Sequence, residues 1–373
     1  MPTGTMSTYD LTEGLYLDFE PMIHMLSPMD VPFQGGYTAD GRLILPTDTC
    51  FEKMVQWHDE ELLTPRSLTV GSMTAGGTVL TVSAGDGLNF DVGDMLLVGT
   101  EYMKVTALGS TADTLVVTRA VSGSAGTPAA GVDVVGVGSI LPEGSDPPAA
   151  RAVDRSNKYN LTQIFGPHAI KVSGTENVVR KYGLEGTNEF DHQVGNRLKE
   201  LAIYIEQSII NGVRYNSDTD ETRSMGGMLY YITTINDSTT TTLSETSLLD
   251  NMQLAFNNGG SPDVVGCGAK NKRLVSGFTS SGTIRVERAD DTAGRVVTYY
   301  DTDFGRLTIV LNRWFRTRDL VCFARDQASL ETLRPMGFEM LAKTGDSRAG
   351  QVLAEKTLRF RREAHAFKMT ALT

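Results

Sequence analysis

Apolar residues at Phe190, Val194, Leu198, Leu201, Ile205 and Ile209 recur every three or four positions, which puts all six on one stripe of a 3.6-residue helix. Asn188 is placed to cap its start, Asp191 lies in the first turn, and Asn211 with Gly212 offers a left-handed stop. The spacing predicts a helix of about 23 residues, a rod of roughly 35 Å. The opposite face carries Asp191, Gln193, Arg197, Lys199 and Gln207, so it meets solvent or another chain. The rest of the fold has to be built against one apolar side of this rod.

In front of the helix the composition shifts sharply. Over residues 66–138 Gly, Val and Thr dominate, charge is sparse, and short runs such as TVLTVS, MLLVG, YMKVTAL, TLVVTR and VDVVGV are separated by Gly- and Asp-containing punctuation. That rhythm predicts a small, independently folded all-β barrel or sandwich. On one side of it, residues 39–65 read as an extended strand carrying Phe51, Met54, Val55 and Trp57 and ending in acid at Asp59 to Glu61. On the other, after a Pro-rich polar loop, KYNLTQIF and HAIKVS alternate as strands do. The flanks are expected to pair as one long hairpin, whose ends leave and re-enter side by side.

The first 38 residues hold Tyr9, Tyr16, Phe19 and other large apolar side chains, interrupted by Pro21, Pro28 and Pro32. Proline at such intervals forbids a long helix or a central strand, so an extended arm with a short helix is expected, covering either its own domain or a neighbour. Behind the long helix, LLDNMQLAFNNGG and AKNKRLVSGF read as helices, and DVVGCG, VVTYYDT, GRLTIVLN and LVCFA as strands. After Asp326 come long β-compatible segments rich in both charge signs.

A chain of 373 residues, 40% of them hydrophobic, is long enough for two or three cores. Cys50, Cys267 and Cys322 are odd in number and widely separated, which argues against a disulfide framework or a thiolate metal site and for a reducing compartment. No stretch approaches the roughly 20 apolar residues that span a bilayer, and the N-terminus lacks the basic start and apolar run of a signal peptide. A net charge of −11 opposes gripping phosphate, so DNA near this chain is expected to be contained without being held.

Taken in order, TYD and SPMDVPF, WHDEELLTP, GDMLLVGTEYMKV and TLVVTRAV, NLTQIFGPHAIKVSGT, ELAIYIEQSIING and the closing EKTLRF resemble the major capsid proteins of tailed bacteriophages. Each segment is degenerate; their order along nearly the whole chain is what is specific. The resemblance implies an α+β fold of the Hong Kong 97 type with an inserted β domain. Residues 1–38 would be the N-arm, 39–65 and 139–172 the E-loop, 66–138 the insert, 173–245 and 326–373 the peripheral domain with its spine helix, and 246–325 the axial domain. It further implies hexamers and pentamers in an icosahedral virion shell around double-stranded DNA. That shell would be assembled in the host bacterial cytoplasm with scaffolding, portal and decoration proteins. Tyr9, Tyr16, Phe19, Trp57, Arg285, Arg288, Asp290 and Asp291 are the candidate inter-subunit residues.

No catalytic set, metal or cofactor is expected. The five histidines, His24, His58, His168, His192 and His365, fall on separate elements, and no Walker loop, GxSxG elbow or GxGxxG is present. Gly266 and Gly268 form a lone GxG, better explained by a tight strand-to-helix turn. Asn216, Asp218 and Asp220 begin like a calcium loop, but Glu221 and Gly227 occupy the slots that need Gly and Glu. Asp290 and Asp291 beside Arg285, Arg288 and Arg295 read as inter-subunit salt bridges of an axial loop. Lys53 and Lys158 on the hairpin have no evident carboxylate partner for a covalent crosslink, so assembly is read as non-covalent. The rival classes are an encapsulin-like compartment shell and a phage adhesin or decoration protein.

Overall fold

The structure, a computed structural model, describes residues 29–36, 43–60, 62–145, 155–179, 181, 188–278, 299–343 and 345–373. Tyr9, Tyr16, Phe19, Arg285, Arg288, Asp290 and Asp291 lie outside the described residues. Two compact units make up the chain, one of Met1–Trp57 with Asn157–Thr373 and one of His58–Ser156.

The first elements are helix α1 (Pro32–Gly35) and strands β1 (Thr47–Thr49) and β2 (Met54–Glu60). Six strands follow: β3 (Arg66–Leu68), β4 (Val79–Thr81), β5 (Asp94–Val98), β6 (Glu101–Leu108), β7 (Thr114–Ser122) and β8 (Asp133–Ser139). The chain continues through β9 (Arg155–Leu161), β10 (Gln163–Ser173), α2 (Gly174–Val178), α3 (Glu189–Asn211), β11 (Tyr215–Ser217) and β12 (Thr222–Ser224). Next are α4 (Met228–Tyr231), β13 (Asn236–Asp237), α5 (Glu245–Asn257), β14 (Val264–Cys267) and α6 (Ala269–Val275). Last come β15 (Tyr299–Thr302), β16 (Gly305–Leu311), β17 (Leu320–Phe323), β18 (Ala328–Met340), β19 (Ser347–Phe360) and β20 (Phe367–Met369).

Helix α3 has 23 residues, with Glu189 and Asp191 in its first turn where acid favours the helix dipole. Phe190, Leu201, Ile205 and Ile209 are buried, while Val194 and Leu198 pack half-buried beside them. The first turns meet Ile170 and Val172 of β10. Farther along, the stripe enters the main core with Phe165, Val352, Ala354 and Leu358. Each fully buried Leu, Ile or Phe contributes about 1.5–3 kcal/mol. The left-handed stop is corrected, because Gly212 has φ −56 and an extended ψ. Glycine is needed there for close approach: a Cβ would lie 2.4 Å from Ser208 O and 2.6 Å from Met225 O. Asn188 has extended backbone angles but makes no side-chain cap.

Two sheets flank the main core of the larger unit. The four-stranded one runs β1-β18-β19-β10 and the six-stranded one β13-β20-β17-β14-β16-β15. In β17 the side chains alternate strictly: Val321 and Phe323 enter the α3 core, whereas Leu320 and Cys322 enter a second core with Leu248 and Met252 of α5 and Val275 of α6. A period of two with both faces buried is why VVGC and LVCF read as continuous apolar runs. Gly266 of β14 faces two aromatic rings, and a Cβ would sit 3.0 Å from both Phe33 Cζ and Phe315 Cζ. This packing, with Gly268 as N-cap of α6, accounts for the lone GxG.

Two expected boundaries move. The hairpin is β2 paired with β9 alone; β10 leaves it to pair antiparallel with β19, so residues 163–172 belong to the four-stranded sheet. The chain end also crosses sheets, since β20 pairs with β17 and with β13. Asn216, Asp218 and Asp220 sit in the β11–β12 hairpin, where Asn216 Nδ2 donates to Asp218 Oδ1 at 3.0 Å.

In the smaller unit the strands order β3-β8-β5-β6-β7-β4, every pair antiparallel. A bridge between Thr69 and Val82, with Val70 N–H donating to Thr81 O at 3.0 Å, joins the outermost strands and closes the sheet into a barrel. Leu80, Leu96, Val98, Met103, Val105, Leu115, Val117 and Val134 fill it. Glu101 is buried with them and is matched by Arg119, whose Nε and Nη2 donate to the two carboxylate oxygens at 2.7 and 2.6 Å.

Candidate assembly surfaces

The segment before β1 is seated on α3 through a buried carboxylate. Glu206 lies within the helix's buried face, one residue after Ile205. Its Oε1 accepts from Phe33 N–H at 2.8 Å and from Asn312 Nδ2 at 2.7 Å, and its Oε2 from Gln34 Nε2 at 3.1 Å. Gln34 Nε2 also donates to Ala202 O at 2.6 Å. Burial pushes the Glu206 carboxyl up to about 7, against the pull of those donors. Phe33 itself enters an aromatic cluster, 6.0 Å from Phe315 and 6.3 Å from Phe323 between ring centroids. Outside this seat Asp30 pairs with Arg313 and its carbonyl accepts from Trp314 Nε1 at 2.8 Å. Pro32 supplies the preset φ of a first helical turn. Residues 29–36 are therefore tied down at both backbone and side-chain level, and they fix the point from which the preceding chain departs.

A second surface is the outer half of β18. Strand β1 covers β18 only at Leu330, Glu331 and Thr332, so among the described residues the edge from Arg334 to Met340 has no strand partner. Met336, Phe338 and Met340 point to one side of it and are partly exposed, with Phe338 edge-on to Phe190 at 5.7 Å. Pro335, which has no N–H, and Arg334 interrupt this edge as residues that discourage indiscriminate pairing do. Val178 and Phe51 add isolated apolar exposure at 80% and 90%.

Trp57 is corrected as an inter-subunit candidate. Only 6% exposed, it packs on Tyr231 at 5.6 Å inside its own chain. Its alternation on β2 with exposed Gln56 and His58 turns it toward the α4 side of the core. Nearby, Glu355 of β19 accepts from Thr162 Oγ1 at 2.8 Å, from Arg334 at 3.0 Å and from Arg223. Burial alone would raise this carboxyl, and the three donors hold it lower than usual. Asn160 Nδ2 bridges Gly226 O and Leu358 O at 3.0 and 2.6 Å, ending the hairpin and starting the sheet.

Sequence reasoning singled out the stripe and missed Glu206, Asn312 and Phe33 as one cluster. The available signal was position: a glutamate between Ile205 and Ile209 of an apolar face needs donors, and the long spacings to residues 33 and 312 hide which they are.

Among the described residues the remaining polar sites do not assemble a reactive set. A hollow of about 560 Å³ is lined by Thr234, Thr240, Asp250, Asn251 and the carboxylate of Asp237. That carboxylate accepts from Thr239 N–H at 3.1 Å, Thr240 N–H at 2.9 Å and Asn251 Nδ2 at 3.2 Å. Burial works against its charge, but these donors prevail and hold it well below the usual carboxylate range. Among the described residues no group of His, Cys, Asp and Glu has a metal-holding arrangement. His168 stacks on Tyr204, and His192 contacts Asn196. No described helix is long and apolar enough to cross a membrane.

Comparison with known proteins agrees with a structural role. The capsid protein of Myoviridae phage XM1 has the same fold, with a TM-score of 0.54 at 12% identity over 96% of this chain and 99% of that one. The capsid of an empty GTA particle gives 0.52 at 10% identity over 99% of this chain and 100% of that one. The SrpI encapsulin of Synechococcus elongatus gives 0.43 at 6% identity, covering 59% of this chain and 78% of its own. No curated protein matches the sequence. The family model described as SU10 major capsid protein matches residues 1–373. The chain thus belongs to the SU10 major capsid protein family and is a structural subunit of a capsid shell.

Proposed function

We propose that this chain builds an icosahedral phage head of the Hong Kong 97 type from hexamers and pentamers enclosing double-stranded DNA. The observation that carries the reading is the family match, which runs through all 373 residues. In this reading the segment before the Glu206 seat is the N-arm, β2 with β9 is the E-loop ribbon, and α3 is the spine helix. The β1-β18-β19-β10 sheet is the peripheral domain, and the six-stranded sheet with α5 and α6 is the axial domain. The His58–Ser156 barrel is an inserted domain. Assembly takes place in the host bacterial cytoplasm with scaffolding, portal and decoration proteins as partners, and the subunit has no turnover of its own. Many weak repeated contacts give such a shell its collective stability.

Coexpression with its neighbouring head proteins, sedimentation and cryo-electron microscopy test this. The expected product sediments far above the 40.5 kDa chain and shows pentameric and hexameric capsomers. Free trimers would support the adhesin reading, shells filled with a cargo enzyme the compartment reading, and a strict monomer under every condition would sink the capsid assignment.

A further inference from the structure

We propose that the surface formed by residues 312–318 and the exposed face of α6 is a binding patch for the phosphate backbone of duplex DNA, which rests on the reading that the shell encloses DNA. The chain's charge of −11 conceals a local reversal. No Asp or Glu occurs between residues 312 and 318 or between 269 and 278, and these stretches bring Arg313, Arg316, Arg318, Lys270, Lys272 and Arg273.

The fold holds these cations in place. Phe315 is buried against Gly266 and Phe33, which turns its neighbours Arg313, Arg316 and Arg318 outward, each more than half exposed at 61%, 52% and 56%. Asn271 on the buried side of α6 donates to Thr317 O at 3.0 Å and Asp319 O at 3.1 Å, locking helix to loop. Lys270 and Arg273, three apart on the opposite side, are exposed and have no carboxylate partner among the described residues. Among the described residues the acids in contact are Asp319, wholly buried beneath Arg316 and Arg318, and Asp30 beside Arg313. Among the described residues two carboxylates stand against five exposed cations, with Lys272 half-buried beside Cys267, which leaves the patch positive, and guanidinium groups carry the planar donor fork that matches phosphate. The proposed contacts go to phosphate, and contacts of that kind carry no sequence information.

The test measures binding of a short duplex to the full chain by fluorescence anisotropy over a range of KCl. Wild type is expected to bind at low salt with a steep log–log dependence, about −0.9 per phosphate neutralised. The Lys270→Gln, Arg273→Gln variant, which strands no buried acid, should flatten that slope by about 2 and still form particles. The Lys270→Arg, Arg273→Lys swap should keep the wild-type slope. Absence of duplex binding by wild type, an unchanged slope in the glutamine variant, or a flattened slope in the charge-preserving swap would overturn the proposal. Glutamine variants that keep duplex binding but lose particles would overturn it too and assign the patch to a neighbouring copy. Particle formation is scored separately by microscopy, so failure of the shell reading is distinguishable from failure of DNA binding.

Discussion

Glu206 and Glu101 are both buried glutamates, yet their surroundings drive them in opposite directions. Arg119 clasps Glu101 and, with the amides of Ala120 and Gly126, holds it down to about 2, whereas Glu206 meets only neutral donors and burial lifts it to about 7. For Glu206 the raised value means that its contribution is full below about 4.5 and is lost as pH climbs toward 7, a change of at most about 3 kcal/mol. Denaturant titration of wild type from pH 5 to 8 should show that decline, and Glu206→Gln should flatten it. For Glu101 the sign reverses: its contribution is present above 4.5 and is lost as pH falls toward 2. Arg119→Gln strands the carboxylate and should destabilise the barrel by about 3–5 kcal/mol, read as an earlier melting transition. Glu101 is not distinguishable from a surface glutamate in the sequence, and Glu206 only by its place beside the apolar stripe, because the partners that bury them are set by tertiary packing.

At the scale of elements the long helix was the most legible part, since a six-member stripe repeats one physical constraint until only one period satisfies it. Leu201 lies fully buried at its centre. Leu201→Ala should cost about 2–5 kcal/mol in unfolding free energy. Leu201→Asp, an unpaired carboxylate in that core, should leave insoluble or unassembled protein, and normal particle yield from it would contradict the packing of α3. Less legible was where strands stop. NLTQIF reads as one extended run, but the chain turns from ribbon to sheet near Thr162, held by Asn160 contacts to Gly226 and Leu358 far along the sequence. In the adjacent pair Val79-Leu80 only Leu80 can point into the barrel, and Val79 is left 52% exposed. An apolar run alone does not state which member faces inward.

For the whole molecule, His58–Ser156 form a compact unit with its own core, and the composition shift at residues 66–138 falls inside it, with the chain leaving at Trp57 and returning at Asn157. Expressed alone, residues 58–156 should be soluble and melt cooperatively, and a disordered amide spectrum would contradict that. The crossing of the chain end into the second sheet was not legible, because FKM is too short to carry a period. The Thr69–Val82 bridge turns the outer edges of β3 and β4 toward each other, so that seam is not open to another strand. Copies crowded side by side therefore cannot trade strands through that seam, and outward positions beside it such as Val79 are free to diverge without stitching neighbours together there.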